Sequence, residues 1–335
     1  MSENKINIIA EAAQGYEGNF NLSKKFITES KKSEATSIKF QLVFADELAT
    51  KNYQDYEIFK KIEMKPSQWI YLRKLALKKK ISFILDIFGD LSLSLAKKMN
   101  VDGIKIHPTD LNNTQFLKKI SKKKFKKIFL GVGGGTLTEI KRALKILPKK
   151  KTVIMFGFQS YPTPTKTNQI IRIAKILKIL KNGEYELGFA DHSIPNTLSE
   201  YVPSILAIGA GCLHIEKHLT LPYHRKLEDW ESAYKPKEFK KYVKLLNISN
   251  GAMGKIDYKK NDFSMSLNEK NYLKKVRRKI ILNRELNKNT KIKIKYIDLK
   301  RSPDESALTN IKDILGKRLK KNISKNTPLR KEHII

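Results

Sequence analysis

Short, continuous apolar runs alternate with stretches whose apolar residues recur every three or four positions. The runs are INIIAEAA (6–13), SIKFQLV (37–43), ISFILDIFG (81–89), GIKIHPTD (103–110), KIFLGVGG (127–134), TVIMFGFQ (152–159), YELGFADH (185–192) and CLHIEKHLT (212–220). Runs of this length with little polar alternation read as strands buried on both faces, the mark of a parallel sheet. Between them lie LSKKFITESKKSE, PSQWIYLRKLALKKK, LTEIKRALKIL, NQIIRIAKILKILK and TLSEYVPSILAIGA, and PKEFKKYVKLLNISNGAMG follows the last run. Each carries the spacing of an amphipathic helix. Eight strand–helix units in about 250 residues have the count and length of a (β/α)₈ TIM barrel. An open doubly wound sheet fits less well, because no GxGxxG follows the first run.

A barrel gathers its chemistry at the C-terminal ends of its strands. Those ends supply Glu11, Lys39 with Gln41, Asp86, Lys105 with His107, Gly131 to Gly135, Gln159 with Tyr161, Asp191 with His192, and Glu216 with His218. A purely structural core does not explain polar residues at nearly every strand end.

Past residue 256 the pattern changes. Residues 1–256 form the expected barrel, and the polar, basic stretch 257–276 reads as a linker. Residues 277–335 form a small β-rich unit with frequent turn residues. A unit of this size has little core of its own.

Composition adds limits more than it adds function. The chain has 335 residues, 40% hydrophobic and 30% charged, which suits a globular protein rather than a disordered one. Its one cysteine, Cys212, excludes an intrachain disulfide and fits a reducing compartment. MSENKINIIAEAA is charged too early for a signal peptide, and the longest apolar run, near SILAIGAGCL, is too short to cross a membrane. The expected location is the cytoplasm, with no membrane partner. The formal net charge of +35 includes lysine runs at 78–80, 122–124 and 149–151, at expected helix ends. Without aromatic interleaving or a recognition motif, it reads as a solvated surface and not as a nucleic-acid interface. Its field still draws anionic substrates inward.

Within the expected mouth, His192 and His218 end neighbouring strands, where two imidazoles can share a divalent cation and leave positions open for substrate. His214 points to the same side but deeper, as packing or support, and His107 is ambiguous. Lys39 and Lys105 suit a phosphate or carboxylate, unless each pairs with a neighbouring carboxylate. GVGGGTLTE (131–139) sets backbone N–H groups of Gly131 and Gly133 near a helix start, with Thr136 and Glu139 as a capping box. SYPTP (160–164) fixes a rigid loop presenting Tyr161 beside Gln159.

In order along the chain, these pieces resemble a known family. IAEAAQGYEGNF resembles the IAEIGxNHxG opening of sialic acid synthases, and IKFQ their VKFQ or VKHQ. GFQSYPTP is similar to their C-T-x-Y-P-T-P, GFADHS to G-L/Y-S-D-H-T, and IEKHLT to E-R/K-H-F/L-T. The C-terminal LKRSP and LGKRLKKNISKNTPLRKEHI resemble the antifreeze-like SAF domain. The resemblance implies condensation of phosphoenolpyruvate with an N-acylated hexose such as N-acetylmannosamine. The product would be a nine-carbon 2-keto-3-deoxy acid, with phosphate released. It implies Mn²⁺ or Mg²⁺ held by His192 and His218, with these two and Glu11 catalytic. Phosphoenolpyruvate would be held by Lys39, Lys105, Gln159, Gly131 and Gly133, and the sugar by Gln41, Tyr161, Asp229 and Arg301. Arg301 implies a domain-swapped homodimer, since in the family it reaches into the partner's barrel. The chain also departs from the pattern. The family's KIGSGE is KIHPTD, its STGM is GVGG, and the serine before Asp-His is Ala190, so three hydroxyls are gone. Two alternatives follow from the residues: a barrel lyase or aldolase with a Schiff-base lysine, or a non-catalytic sugar-binding homologue.

Overall fold

The computed structural model describes residues 5–157, 160–180, 184–222, 226–254 and 265–335. The chain divides into two compact units, Met1–Tyr258 and Lys259–Ile335.

The first unit is a closed barrel of eight parallel strands, paired in chain order. They are β1 (Asn7–Glu11), β2 (Ser37–Gln41), β3 (Ser82–Ile87), β4 (Gly103–Ile106), β5 (Ile128–Gly131), β6 (Thr152–Phe156), β7 (Glu186–Asp191) and β8 (His214–His218). The expected (β/α)₈ barrel is therefore present, with strands shorter than the apolar runs. GIKIHPTD leaves the sheet after Ile106 and turns into a 3₁₀ helix at Pro108–Asp110. Proline lacks the N–H a ladder needs, so the strand stops before it.

Strand alternation sorts side chains into two cores. Outward residues such as Phe40, Phe83, Ile104 and Ile215 join Tyr16, Phe26 and Trp69 beneath the helices. Tyr16, Phe40 and Trp69 meet edge to face, with centroids 5.4–6.0 Å apart. Inward residues Ile9, Ile84, Phe129, Val153, Met155 and Ala190 form a separate buried cluster that fills the barrel's middle. Below that plug, Asn7, Glu186 and His214 form a polar floor. His214 Nδ1 is 3.1 Å from Asn7 Nδ2, and its Nε2 is 2.6 Å from Glu186 Oε2. His214 therefore belongs to the end opposite the strand C-termini, as structural support.

The helices follow the expected periodicity, with local adjustments. Phe20–Lys32 is capped by the Asn19 side chain, which accepts from Leu22 N–H. Leu137–Ile146 opens with the anticipated Thr136–Glu139 capping box. TLSEYVPSILAIGA is helical only over Val202–Gly209, with Pro203 in its first turn, where a missing N–H costs little. Helices at Asp90–Lys98 and Thr114–Ser121 were not anticipated.

The second unit carries β9 (Lys279–Leu282) antiparallel to β10 (Ile297–Lys300), and several single bridges such as Leu286–Ile323 and Leu319–Ile334. Ile280, Leu282, Ile292, Ile314, Leu319 and Leu329 are fully or almost fully buried in its own core. The expected linker 257–276 needs correction. Its second half is the helix Leu267–Val276, started by the Ser266 side chain accepting from Glu269 N–H. The dense charges there hide helical character, because Lys274 and Lys275 sit at the C-terminal end where the helix dipole favours cations. Among the described residues, no helix is long and apolar enough to cross a membrane.

Candidate active site at the mouth of the barrel

Register decides which strand ends meet. Glu11 pairs with Lys39 on one side and His218 on the other. Asp86 lies opposite Gln41 and Lys105. One small cavity is lined by Glu11, Lys39, Gln41, Asp86, Lys105, His107, Pro108, Tyr161, His192, Glu216 and His218, with Ala13. Most of the expected residues thus converge at the C-terminal ends of the strands.

The two lysines are not free cations. Lys39 Nζ pairs with Glu11 Oε2, with Asp86 Oδ2 at 2.7 Å and with Glu216 Oε1 at 3.5 Å. Lys105 Nζ lies 2.6 Å from Glu216 Oε1. All five groups are buried. The expected cradle is therefore a charge network in which two ammoniums face three carboxylates. Burial pushes the Lys39 ammonium below its usual range, and Asp86 and Glu216 restore only part of the loss. Burial acts on Lys105 too, but Glu216 and Asp86 outweigh it and hold that ammonium above the ordinary lysine value. Burial would raise the Glu216 carboxyl, yet Lys105 and Lys39 hold it down at about 2. Sequence reasoning gave Asp86 and Glu216 no role. The signal was their place at strand ends facing lysines. Glu11 is fixed locally as well, since its Oε1 accepts from Ala13 N–H at 2.5 Å.

His192 and His218 end β7 and β8 with ring centroids 5.4 Å apart, and Tyr161 lies edge-on to both, at 4.4 and 5.8 Å. Burial lowers His192 to about 4 and drives His218 well below the usual imidazole value. Both rings are therefore neutral near pH 7, the state in which an imidazole offers a metal its lone pair. Among the described residues, no group of three or more His, Cys, Asp or Glu is arranged as a metal site. The donor set is the pair of imidazoles, with Glu216 Oε2 and Asp86 Oδ1 nearby as buried oxygens that accept no hydrogen bond among the described residues. Two neutral imidazoles at the ends of neighbouring strands, with no third ligand beside them among the described residues, fit a divalent cation that keeps open positions.

Behind these rings a second buried pair sets the backbone. Lys217, inaccessible to solvent, points away from the mouth and donates to Ser193 O at 2.6 Å, with Asp191 Oδ1 at 3.4 Å. Asp191 also accepts from Ser193 N–H at 2.8 Å and from the Ser204 hydroxyl. An acid and an imidazole stand side by side at 191 and 192 because one faces the helices and the other the mouth. His192 O accepts from Thr163 N–H at 2.9 Å and from Ser232 Oγ at 3.1 Å.

Other expected residues are less central. Asp229 Oδ2 lies 3.7 Å from His218 Nδ1, and burial with Glu228 and Glu231 raises its carboxyl to about 6. Gln41 Oε1 accepts from Gln14 Nε2 at 2.8 Å. Gly131 is required by packing, since a Cβ there would sit 2.6 Å from Pro108 Cδ. Gly133 lines a neighbouring cleft with Gly134 and Arg172, apart from the lysines. The helix start after it carries a capping box, in which Glu139 accepts from Thr136 N–H at 2.7 Å. Arg301 is an exposed residue of the second unit. Gln159 lies outside the described residues.

The mouth of the barrel thus combines neutral metal-type ligands, a paired charge network and an aromatic rim. Comparison with known proteins identifies the family. The NeuB family model matches residues 26–258 and the SAF domain model residues 277–335. The chain is 28% identical over 348 residues to the N,N'-diacetyllegionaminic acid synthase of Legionella pneumophila, covering 98% of this chain and 94% of that protein. It is 23% identical to the N-acetylneuraminate-9-phosphate synthase of Drosophila melanogaster, covering 98% and 96%. The crystal structure of the N-acetylneuraminic acid synthetase of Leptospira borgpetersenii, a complex with citrate, superposes with a TM-score of 0.72 at 26% identity, covering 81% of this chain and 91% of that one. The chain belongs to the NeuB family of sialic acid synthase-like enzymes and carries a C-terminal SAF domain.

Proposed function

We propose that this enzyme condenses phosphoenolpyruvate with an N-acylated hexose of the N-acetylmannosamine type. The reaction gives a nine-carbon 2-keto-3-deoxy acid and inorganic phosphate. The observation that carries the reading is the convergence of His192 and His218 on one cavity with Lys39, Lys105, Glu11 and Glu216.

The enol C3 of the donor is a weak nucleophile, so the acceptor aldehyde must be polarised. Mn²⁺ or Mg²⁺ bound by His192 and His218 would supply Lewis-acid polarisation of that carbonyl. The chain's own residues do the rest. Burial keeps both imidazoles unprotonated and ready as ligands. Lys39 and Lys105 bind the donor's anionic groups, exchanging part of their hold on Asp86 and Glu216 for substrate oxygens. Glu11, fixed by Ala13 N–H, orients the water that traps the cationic C2 after carbon–carbon bond formation. Tyr161, Gln41 and Asp229 meet the sugar at the rim, and Arg301 reaches it from the partner's second unit in a swapped homodimer. Gly133 lies in the neighbouring cleft rather than beside the lysines, so Lys39 and Lys105 are the main hold on the donor.

Full-length protein incubated with phosphoenolpyruvate, Mn²⁺ and a panel of N-acyl hexoses should release phosphate and yield a new keto acid by mass. Silence with every acceptor would instead favour the non-catalytic sugar-binding reading. The Schiff-base alternative draws on the depressed Lys39 ammonium. A borohydride-stable keto-acid adduct on Lys39 would support it, and its absence alongside turnover would exclude it.

A further inference from the structure

His107 lines the cavity with Lys105, Pro108 and Tyr161, yet the reaction as written gives it no part. Its surroundings fix what it can offer. Thr109 N–H donates to His107 Nδ1, and Thr109 Oγ1 lies 2.9 Å from the same nitrogen. A backbone N–H can only donate, and at 3.5 Å its contact and that of the Thr109 hydroxyl are both met when Nδ1 is the bare, accepting nitrogen. The ring proton then sits on Nε2, which has no hydrogen-bond partner among the described residues. Burial holds the imidazole at about 4, so it stays neutral near pH 7 while feeling Asp86, Lys105 and Lys39. The Phe88 ring, with its centroid 6.2 Å away, flanks it.

The need for such a group follows from the charge network. Both ammoniums that could meet an anion are already engaged, Lys39 with Glu11 and Asp86, and Lys105 with Glu216. An incoming anion competes with three carboxylates for two cations. A neutral N–H donor with no internal partner escapes that competition. It also gains strength when the acceptor is charged and the cavity is closed to water.

We infer that His107 is a donor-binding residue, whose Nε2–H holds an anionic oxygen of phosphoenolpyruvate. The inference rests on the proposed synthase activity. It takes the ring at the turn after β4 as a built part of the pocket rather than as packing.

The test uses the full chain with three forms: wild type, His107→Ala and His107→Gln. The glutamine amide nitrogen can reach where Nε2 stands and still donate. Phosphoenolpyruvate binding is measured by calorimetry without acceptor, and KM for donor and acceptor by phosphate release. Thermal unfolding reports on the fold. His107→Ala should weaken phosphoenolpyruvate binding about tenfold or more, the scale of a hydrogen bond to a charged group. The acceptor KM should move by less than about twofold, and His107→Gln should recover most of the donor loss. Wild-type donor affinity in folded His107→Ala would overturn the inference and leave the synthase reading intact. Equal weakness in the glutamine variant would overturn it too, because a role in packing would not depend on the donor. If the wild-type chain neither binds phosphoenolpyruvate nor releases phosphate, the synthase reading fails and the inference falls with it.

Discussion

His192 and His218 are separated by a gap that one cation can bridge, and burial keeps both imidazoles neutral. His192→Ala or His218→Ala should therefore reduce turnover to the level seen without added metal. Circular dichroism should remain that of the wild type. Metal-dependent turnover surviving in either variant would reject the assignment. Lys105 poses a different problem, since it is both a substrate group and the partner of a buried acid. Lys105→Met leaves Glu216 with only its longer contact to Lys39, which should cost about 3 kcal/mol of folding stability in urea titration. Lys105→Met combined with Glu216→Gln should regain much of that stability while phosphoenolpyruvate binding stays weak. Donor affinity returning with stability would assign Lys105 a purely structural role. Gly131→Ala forces a methyl group to 2.6 Å from Pro108 Cδ, and overpacking of that kind should cost about 1–3 kcal/mol.

At the level of elements, the seam between β7 and β8 is held from both ends. Above, Lys217 and Asp191 tie the two strands from the helix side. Below, Glu186 accepts from His214 and pairs with Lys127, and these partners hold its carboxyl at about 2 against an ordinary 4.5. A carboxylate with a depressed folded-state value stabilises fully above its unfolded value and loses that contribution as pH falls through the folded one. Wild-type stability should therefore decline between about pH 4.5 and 2 in a way that Glu186→Gln does not. Parallel acid limbs for the two proteins would remove this role. The same seam shows what the sequence could and could not reveal. GFADH and HIEKH read as strands because buried runs with abrupt polar ends are a one-dimensional signal. That Lys39 would spend its charge on Glu11 and Asp86 was not readable. The pairing depends on register across three strands, and a lysine at a strand end looks the same whether it awaits a phosphate or a neighbour. Pro108 shows the same limit, since it stands where any side chain at position 131 would have to go.

For the molecule as a whole, two compact units share the work unequally. The barrel supplies the described cavity, and the second unit has its own small core together with Arg301. Arg301→Ala should raise the acceptor KM more than the donor KM in phosphate-release assays. The reverse pattern would count against a swapped arm meeting the sugar. The net charge of +35 belongs to this scale too. Capture of a trianionic donor should slow as salt is raised, so kcat/KM for phosphoenolpyruvate should fall across an ionic-strength series while kcat stays nearly level.

The pairing of Glu11 with His218 joins the first stave to the last, across 207 residues of chain. A polypeptide that stops short of the eighth stave keeps Lys39 beside residue 11 but lacks the neighbour on its other side. The lining of the cavity is therefore complete only when the ring shuts, because Glu216 and His218 arrive with the last stave.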